Sequence, residues 1–164
     1  RRLELDVNKV DKDHHDHFLN GAIFEVYDKT LDKYVTTLAS GQLMIIGDSP
    51  DEEYEIAKDE DFTKIVKKVK TDENKKIILD IDDGTYYSRK SGSDEVTKHV
   101  SKDGKAVLSD AIYGHEYEFK EIKAPTSYQL ADKTKAYKVE ADEETDTIIY
   151  YFENARIVVP NTGV

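Results

Sequence analysis

Three polar residues of complementary chemistry each end an apolar row that has the two-residue spacing of a β-strand: Lys9, Glu121 and Asn154. Residues i, i+2 and i+4 of a strand lie on one face, so each polar residue is predicted to share a buried face with its apolar neighbours. The rows are Leu3, Leu5 and Val7 before Lys9, Tyr117 and Phe119 before Glu121, and Ile148, Tyr150 and Phe152 before Asn154. An amine, a carboxyl and a carboxamide would then point inward.

Burying these groups costs several kcal/mol unless they satisfy one another, and burial favours the neutral amine and the protonated carboxyl. A neutral Lys9 could attack the side-chain carbonyl of Asn154 and expel ammonia, while Glu121 polarises the carbonyl and shuttles protons. The product would be a covalent isopeptide cross-link. Alternation alone favours a simpler alternative, in which each residue sits at a strand end and reaches solvent.

The elements that must position these residues are short strands separated by turns, which predicts an antiparallel sandwich or a small barrel. The sequence turns at Asn20-Gly21, at Asp103-Gly104 and before Pro125. Further strands are predicted at residues 22–27, 105–108, 116–122, 136–140 and 148–155.

The middle of the chain, residues 30–91, differs from both ends and is interpreted as an inserted elaboration or subdomain. Phe62, Ile65, Val66 and Val69 fall at helical spacing, so a short amphipathic helix is predicted over residues 59–70. A strand is predicted again over residues 76–81.

Composition limits the classes of function. With 24 Lys+Arg against 35 Asp+Glu, the net charge is −11, which argues against a nucleic-acid partner. Cysteine is absent, which removes disulfides, thiolate metal sites and cysteine nucleophiles. The first residues form no signal peptide. The chain opens on Arg1 without Met, so we expect a fragment of a longer protein.

Several segments together resemble the collagen-adhesin B-type (Cna-B) domain of Gram-positive surface proteins and pilins. The resemblance covers roughly residues 3–28 and 93–158. It rests on Lys9-Val10-Asp11, residues 19–24 (LNGAIF), residues 101–106 (SKDGKA), residues 117–128 (YEFKEIKAPTSY, with the "E-box") and Phe152-Glu153-Asn154. The long middle segment and Ser127, where the family often has Gly, depart from its pattern.

This resemblance implies a mostly β, antiparallel immunoglobulin-like sandwich formed by residues 1–29 and 92–158. It also implies an intramolecular bond between Lys9 and Asn154, with Glu121 as the catalytic acid. Such a domain matures itself in a single turnover and is not an enzyme, and no cofactor or metal is implied.

A second resemblance lies at the carboxyl end, residues 159–164. Val159-Pro160-Asn161-Thr162-Gly163 is similar to the sortase sorting signal, commonly Leu-Pro-x-Thr-Gly. A sortase cysteine would attack the Thr162 carbonyl and pass the acyl group to an amine on another pilin subunit or on cell-wall peptidoglycan. The apolar stretch and basic tail that usually follow are missing after Val164, which fits a truncated chain.

The function predicted from these features is structural: a domain of a Gram-positive pilus or cell-wall-anchored protein, extracellular and self-cross-linked. The alternative is an adhesin module whose inserted segment, including Tyr86-Tyr87, binds a host extracellular-matrix ligand. A glycosidase using paired carboxylates is disfavoured because no pair can be placed at one site.

Two further patterns suggest metal binding and are discounted. His14-His15-Asp16-His17 lies in a loop, where adjacent residues rarely complete a coordination shell. In residues 80–84 the glycine falls one position too early for a calcium loop of the EF-hand type, and a turn is predicted instead.

Overall fold

A computed structural model describes residues 1–140, 142 and 144–158, and this part of the chain is all-β, with thirteen strands and no helix. The strands are β1 (Arg2–Asp11), β2 (Ile23–Asp28), β3 (Lys33–Ala39), β4 (Gln42–Ile46), β5 (Glu53–Ala57), β6 (Ile65–Lys70), β7 (Lys76–Asp80), β8 (Gly84–Lys90), β9 (Thr97–Ser101), β10 (Lys105–Ile112), β11 (Glu116–Lys123), β12 (Lys135–Lys138) and β13 (Thr147–Asn154).

Both ends of the chain build a two-sheet sandwich. One sheet has the order β10-β1-β13 and the other the order β12-β11-β2-β3. Alternate residues of β1, β2, β11 and β13 fill the space between the sheets, as the two-residue period requires. Phe24 lies at the centre, with its ring edge-on to Phe119 and Phe152 at centroid distances of 5.7 Å and 4.9 Å.

The first and last strands of the sandwich are parallel neighbours, an exception to the antiparallel arrangement expected from the sequence, whereas the other strand pairs of the sandwich are antiparallel. The register of β1 with β13 places Lys9 beside Phe152 and Asp11 beside Asn154. A chain whose first and last strands are adjacent can pair them in parallel because the intervening strands supply the crossover. β1 therefore lies between β10 and β13, and its Asp6 and Asn8 side chains on the outer face are also buried.

The middle of the chain forms two smaller sheets, β4-β7 and β6-β5-β8-β9. A separate apolar cluster holds them together: Leu43, Ile45, Ile56, Ile77 and Tyr86. β3 pairs with β2 of the sandwich, so the strands outside the sandwich run from Gln42 to Ser101. The division of the chain at residues 30 and 91 stays a prediction.

The predicted helix over residues 59–70 is wrong. Asp59 instead holds a tight turn, accepting hydrogen bonds from the backbone of Thr63 and Lys64 at 3.1 Å and 2.8 Å. Residues 65–70 then form β6, which pairs antiparallel with β5. Ile65, Val66 and Val69 are β-branched, and the unpaired edge of β5 offers them a ladder that a short isolated helix lacks.

No element in the described ranges is a helix long and apolar enough to cross a bilayer.

Candidate functional site

Lys9 is fully buried in the sandwich core, on the central strand of the three-stranded sheet. Leu5 and Val7 precede it on the same inward face. Its Nζ donates hydrogen bonds to the carbonyl oxygens of Phe152, at 2.7 Å, and Val10, at 3.2 Å. The amine also lies 5.4 Å from the centroid of the Phe152 ring. These contacts hold the end of a flexible side chain at the β13 strand.

Glu121 faces the same core from β11, in the opposite sheet, and only 3% of its surface is exposed. Its Oε1 atom accepts two N–H bonds, from Asn154 Nδ2 at 2.7 Å and from the backbone of Ala131 at 3.0 Å. Oε2 is buried and meets no hydrogen-bond partner among the described residues. A carboxyl arranged in this way can carry a proton on Oε2 while Oε1 remains the acceptor.

Asn154 ends β13 and is also buried. Its Nδ2 atom uses both hydrogens, one for Glu121 Oε1 and one for the carbonyl oxygen of Gln129 at 2.8 Å. Its Oδ1 atom is buried without a partner in the part of the chain that the structure covers. The two bonds fix which end of the amide faces the carboxyl, so the nitrogen lies against Glu121.

Burial changes the protonation of both ionisable groups. Desolvation lowers the pKa of Lys9 to about 8, with the nearby Glu121 carboxylate opposing the change. Desolvation also raises the pKa of Glu121, although the Ala131 amide, the Asn154 side chain and the Lys9 charge favour its ionised form. Both shifts favour the neutral form of each group over the charged form.

Chemically, the site brings together the three parts of an amide exchange. Glu121 and Asn154 are in direct contact. Lys9 lies on β1 opposite Phe152, two residues before Asn154 in the register of β13, and its amine donates to the Phe152 and Val10 carbonyls, not to Glu121 or Asn154. A neutral amine is a nucleophile, a carboxamide is its acceptor, and an adjacent carboxyl can move protons between them.

A surface pocket of about 370 Å³ adjoins the site. Asn154, Phe152, Gln129 and Ala131 contribute to its lining. A small neutral product formed at Asn154 would therefore lie next to space outside the packed core.

The sequence-based reasoning missed the residues that support this site. Gln129 and Ala131 act through their backbone, which no side-chain pattern indicates. Tyr128 and Asp11 lie in the segments that resemble the Cna-B pattern, but the spacing of the residues indicates no role for either of them. In the structure the Tyr128 hydroxyl donates to Asp11 Oδ2 at 2.6 Å.

The other candidate residues lie apart from the buried site. His15 contacts the Glu153 carboxylate and stacks on Tyr151, while His14 and His17 lie against each other. Within residues 1–140, 142 and 144–158, no three His, Cys, Asp or Glu side chains are arranged so that they could hold a metal ion. The sorting-signal residues Val159, Pro160, Asn161, Thr162 and Gly163 lie outside the described residues.

Fold and site together define a prealbumin-like β-sandwich domain. The family described as "SpaA: Prealbumin-like fold domain" matches residues 66–156, more than half of the chain and a range that includes Glu121 and Asn154. The chain belongs to this family, and its resemblance to Cna-B-type pilin domains is confirmed. No curated protein sequence matches it.

Similar solved structures include three pilins. The pilus 2b backbone protein of group B streptococcus is 17% identical, with a TM-score of 0.42 over 95% of this chain and 42% of that one. GBS52, the minor pilin of Streptococcus agalactiae, is 20% identical, with a TM-score of 0.40 over 99% and 48%. The major pilin SpaD of Corynebacterium diphtheriae is 15% identical, with a TM-score of 0.38 over 96% and 31%. The chain spans less than half the length of each of these pilins.

Proposed function

We propose that this chain is a load-bearing structural domain of a Gram-positive pilus or cell-wall-anchored surface protein, locked by a covalent bond between Lys9 and Asn154. The observation that carries the proposal is the buried contact between Asn154 Nδ2 and Glu121 Oε1, with the Lys9 amine on the adjoining strand. If these three groups did not react, burying them would cost several kcal/mol of folding free energy, and few purely structural roles would offset that loss.

The reaction balances without any co-reactant. The neutral Lys9 Nζ attacks Asn154 Cγ, and the new Nζ–Cγ bond replaces the Cγ–Nδ2 bond. Glu121 passes a proton to the departing nitrogen and recovers one from the attacking amine, so the carboxyl ends unchanged. The leaving group is ammonia, formed beside the pocket lined by Asn154 and Gln129.

The bond would connect the two strands that carry the ends of the chain. β1 and β13 are parallel neighbours, so tension on the two chain ends shears one strand along the other. With Lys9 joined to Asn154, that force passes through a covalent link and bypasses the roughly 145 residues between them. Unlike a disulfide, such a link cannot be reduced. It would therefore suit a domain that has no cysteine and acts outside the cell.

The proposed partners follow from the carboxyl-terminal motif. A sortase would cleave after Thr162 and transfer the acyl group to an amine of another pilin subunit or of peptidoglycan. Incubating a chain carrying this motif with a purified sortase and a small amine should give the amine adduct at Thr162. The Thr162→Ala variant should give none, and equal adduct in both proteins would refute the motif's role.

Intact-mass measurement tests the cross-link itself. The wild-type chain should weigh less than its sequence mass by one ammonia, about 17 Da. Lys9→Ala and Asn154→Ala should each have the mass of their own sequence, and fragmentation of the wild type should find residues 9 and 154 joined. A wild-type mass equal to the sequence mass refutes the proposal.

A further inference from the structure

One short segment, residues 125–131, carries both backbone groups that orient the candidate site. The Gln129 carbonyl accepts one Asn154 Nδ2 hydrogen, and the Ala131 amide donates to Glu121 Oε1. The amide and the carboxyl are therefore aligned from outside their own strands. A shift of residues 125–131 would therefore disturb the hydrogen bonds of the Asn154 amide and of the Glu121 carboxyl at the same time.

The same segment is fastened to the start of the chain by a buried hydrogen bond. Tyr128 donates its hydroxyl proton to Asp11 Oδ2 at 2.6 Å, and both side chains are buried. Asp11 also accepts from Arg156 Nε at 2.9 Å and from the Asp13 backbone at 2.8 Å. These hydrogen bonds, with that of Tyr128 foremost, hold the pKa of Asp11 well below its ordinary value.

Asp11 is placed where it can act on the site. It ends β1 two residues after Lys9, and the β1–β13 register puts it directly beside Asn154. One strand end thus carries both the amine and the anchor for the segment that orients the amide. The backbone bond from Gln129 N to Ala155 O, at 2.8 Å, connects the segment to the chain just after β13.

We infer that Asp11 and Tyr128 are positioning residues for the Lys9–Asn154 reaction: their hydrogen bond fixes residues 125–131, whose backbone holds the Asn154 amide with its nitrogen against Glu121. This inference rests on the proposed function. Neither residue contacts a reacting atom. Their contribution is the alignment of the amide, and misplacing a reacting group by about 1 Å can cost on the order of 100-fold in rate.

The test is the rate of ammonia loss in Tyr128→Phe, which removes only the hydroxyl. A short pulse of cell-free synthesis is stopped, and intact mass is then followed with time. The matched control is Tyr117→Phe. Tyr117 is also buried and lies on the Glu121 strand. Its hydroxyl accepts from the Ile112 backbone at 2.8 Å and is not hydrogen-bonded to Lys9, Glu121 or Asn154.

Tyr128→Phe should form the cross-link about 10- to 100-fold more slowly than the wild type while its circular dichroism shows a folded sandwich, and Tyr117→Phe should react at the wild-type rate. Equal rates in Tyr128→Phe and the wild type would overturn the positioning role. The same slowing in Tyr117→Phe would assign the effect to general stability and overturn it as well. A wild type that never loses ammonia refutes the proposed function instead, so the two failures are distinguishable.

Two further measurements test the anchor, and the first of them does not depend on the folding of Tyr128→Phe. Asp11→Asn keeps an oxygen acceptor for Tyr128 and should react faster than Asp11→Ala, whereas equal rates would contradict the inference. In a Lys9→Met background, where no reaction occurs, Tyr128→Phe should shift the NMR signals of the Asn154 side-chain amide protons. Unchanged signals there would show that the Asn154 hydrogen bonds do not depend on the anchor.

Discussion

Replacing Glu121 by Gln separates the proposed covalent bond from the packing around it. Gln has nearly the same shape and keeps an oxygen that can accept from Asn154 Nδ2 and the Ala131 amide, as Glu121 Oε1 does. It cannot be protonated and deprotonated in the way the reaction needs. Glu121→Gln should therefore have the full mass of its own sequence.

The loss of stability follows from the loop that the bond closes. Lys9 and Asn154 enclose about 145 residues, for which the loop-entropy relation developed for disulfides gives about 5 kcal/mol at 25 °C. For a domain of this size each kcal/mol corresponds to roughly 2–4 °C in Tm. The Tm of Glu121→Gln should therefore lie about 10–20 °C below that of the wild type.

The assay is thermal unfolding by circular dichroism on samples whose intact mass has been measured. Glu118→Gln is the matched control, because Glu118 lies on the same strand with its side chain on the other face. It should retain the mass loss and a Tm within about 2 °C of the wild type. A Glu121→Gln protein that has lost ammonia, or that lacks the link but unfolds at the wild-type temperature, would refute the reasoning.

Two further predictions concern the unlinked amine and the core. In Glu121→Gln the buried Lys9 stays free. With Glu121 present desolvation lowers the Lys9 pKa to about 8, below the ordinary value near 10.5, and loss of the Glu121 charge, which opposes this shift, lowers it further. The folded variant therefore binds fewer protons than the unfolded chain between about pH 8 and pH 10.5. The unfolding free energy of Glu121→Gln, measured in urea, should therefore rise by about 3 kcal/mol from pH 8 to pH 10.5 relative to that of the double variant Lys9→Met/Glu121→Gln. If the unfolding free energies of the two variants change with pH in the same way, this prediction is wrong. Phe152→Ala, which removes one of the two rings packed against Phe24, should cost about 3–5 kcal/mol in urea unfolding. Replacing the exposed Tyr151 by Ala should cost less than about 1 kcal/mol. Similar losses in both would show that Phe152 is not a core residue.

Much of the candidate site could be predicted from the sequence because a strand has a fixed period. Once residues 3–9, 117–121 and 148–154 were interpreted as strands, the faces of Lys9, Glu121 and Asn154 followed from alternation, and all three are buried in the structure. The period does not say which groups touch. That Asn154 meets Glu121 directly depends on how the two sheets stack.

The errors arose where a partner strand decides the outcome. Phe62, Ile65, Val66 and Val69 fit a helical stripe, but β5 provides an unpaired edge, and residues 65–70 pair with it as β6. The parallel pairing of β1 with β13 was likewise invisible, because each strand has the same alternation whichever way its neighbour runs. Periodicity is local, whereas sheet pairing joins residues far apart in the chain.

The sequence by itself therefore determined which side chains face inward, the acidic charge of the chain and its resemblance to the Cna-B family. Only the tertiary structure decided the sheet order, the direction of β1 against β13 and the support of the site by residues 125–131. The physical reason is that side-chain direction follows from the backbone period of one strand. Contacts such as those of the Gln129 carbonyl and of Asp11 with Tyr128 exist only after distant segments have packed.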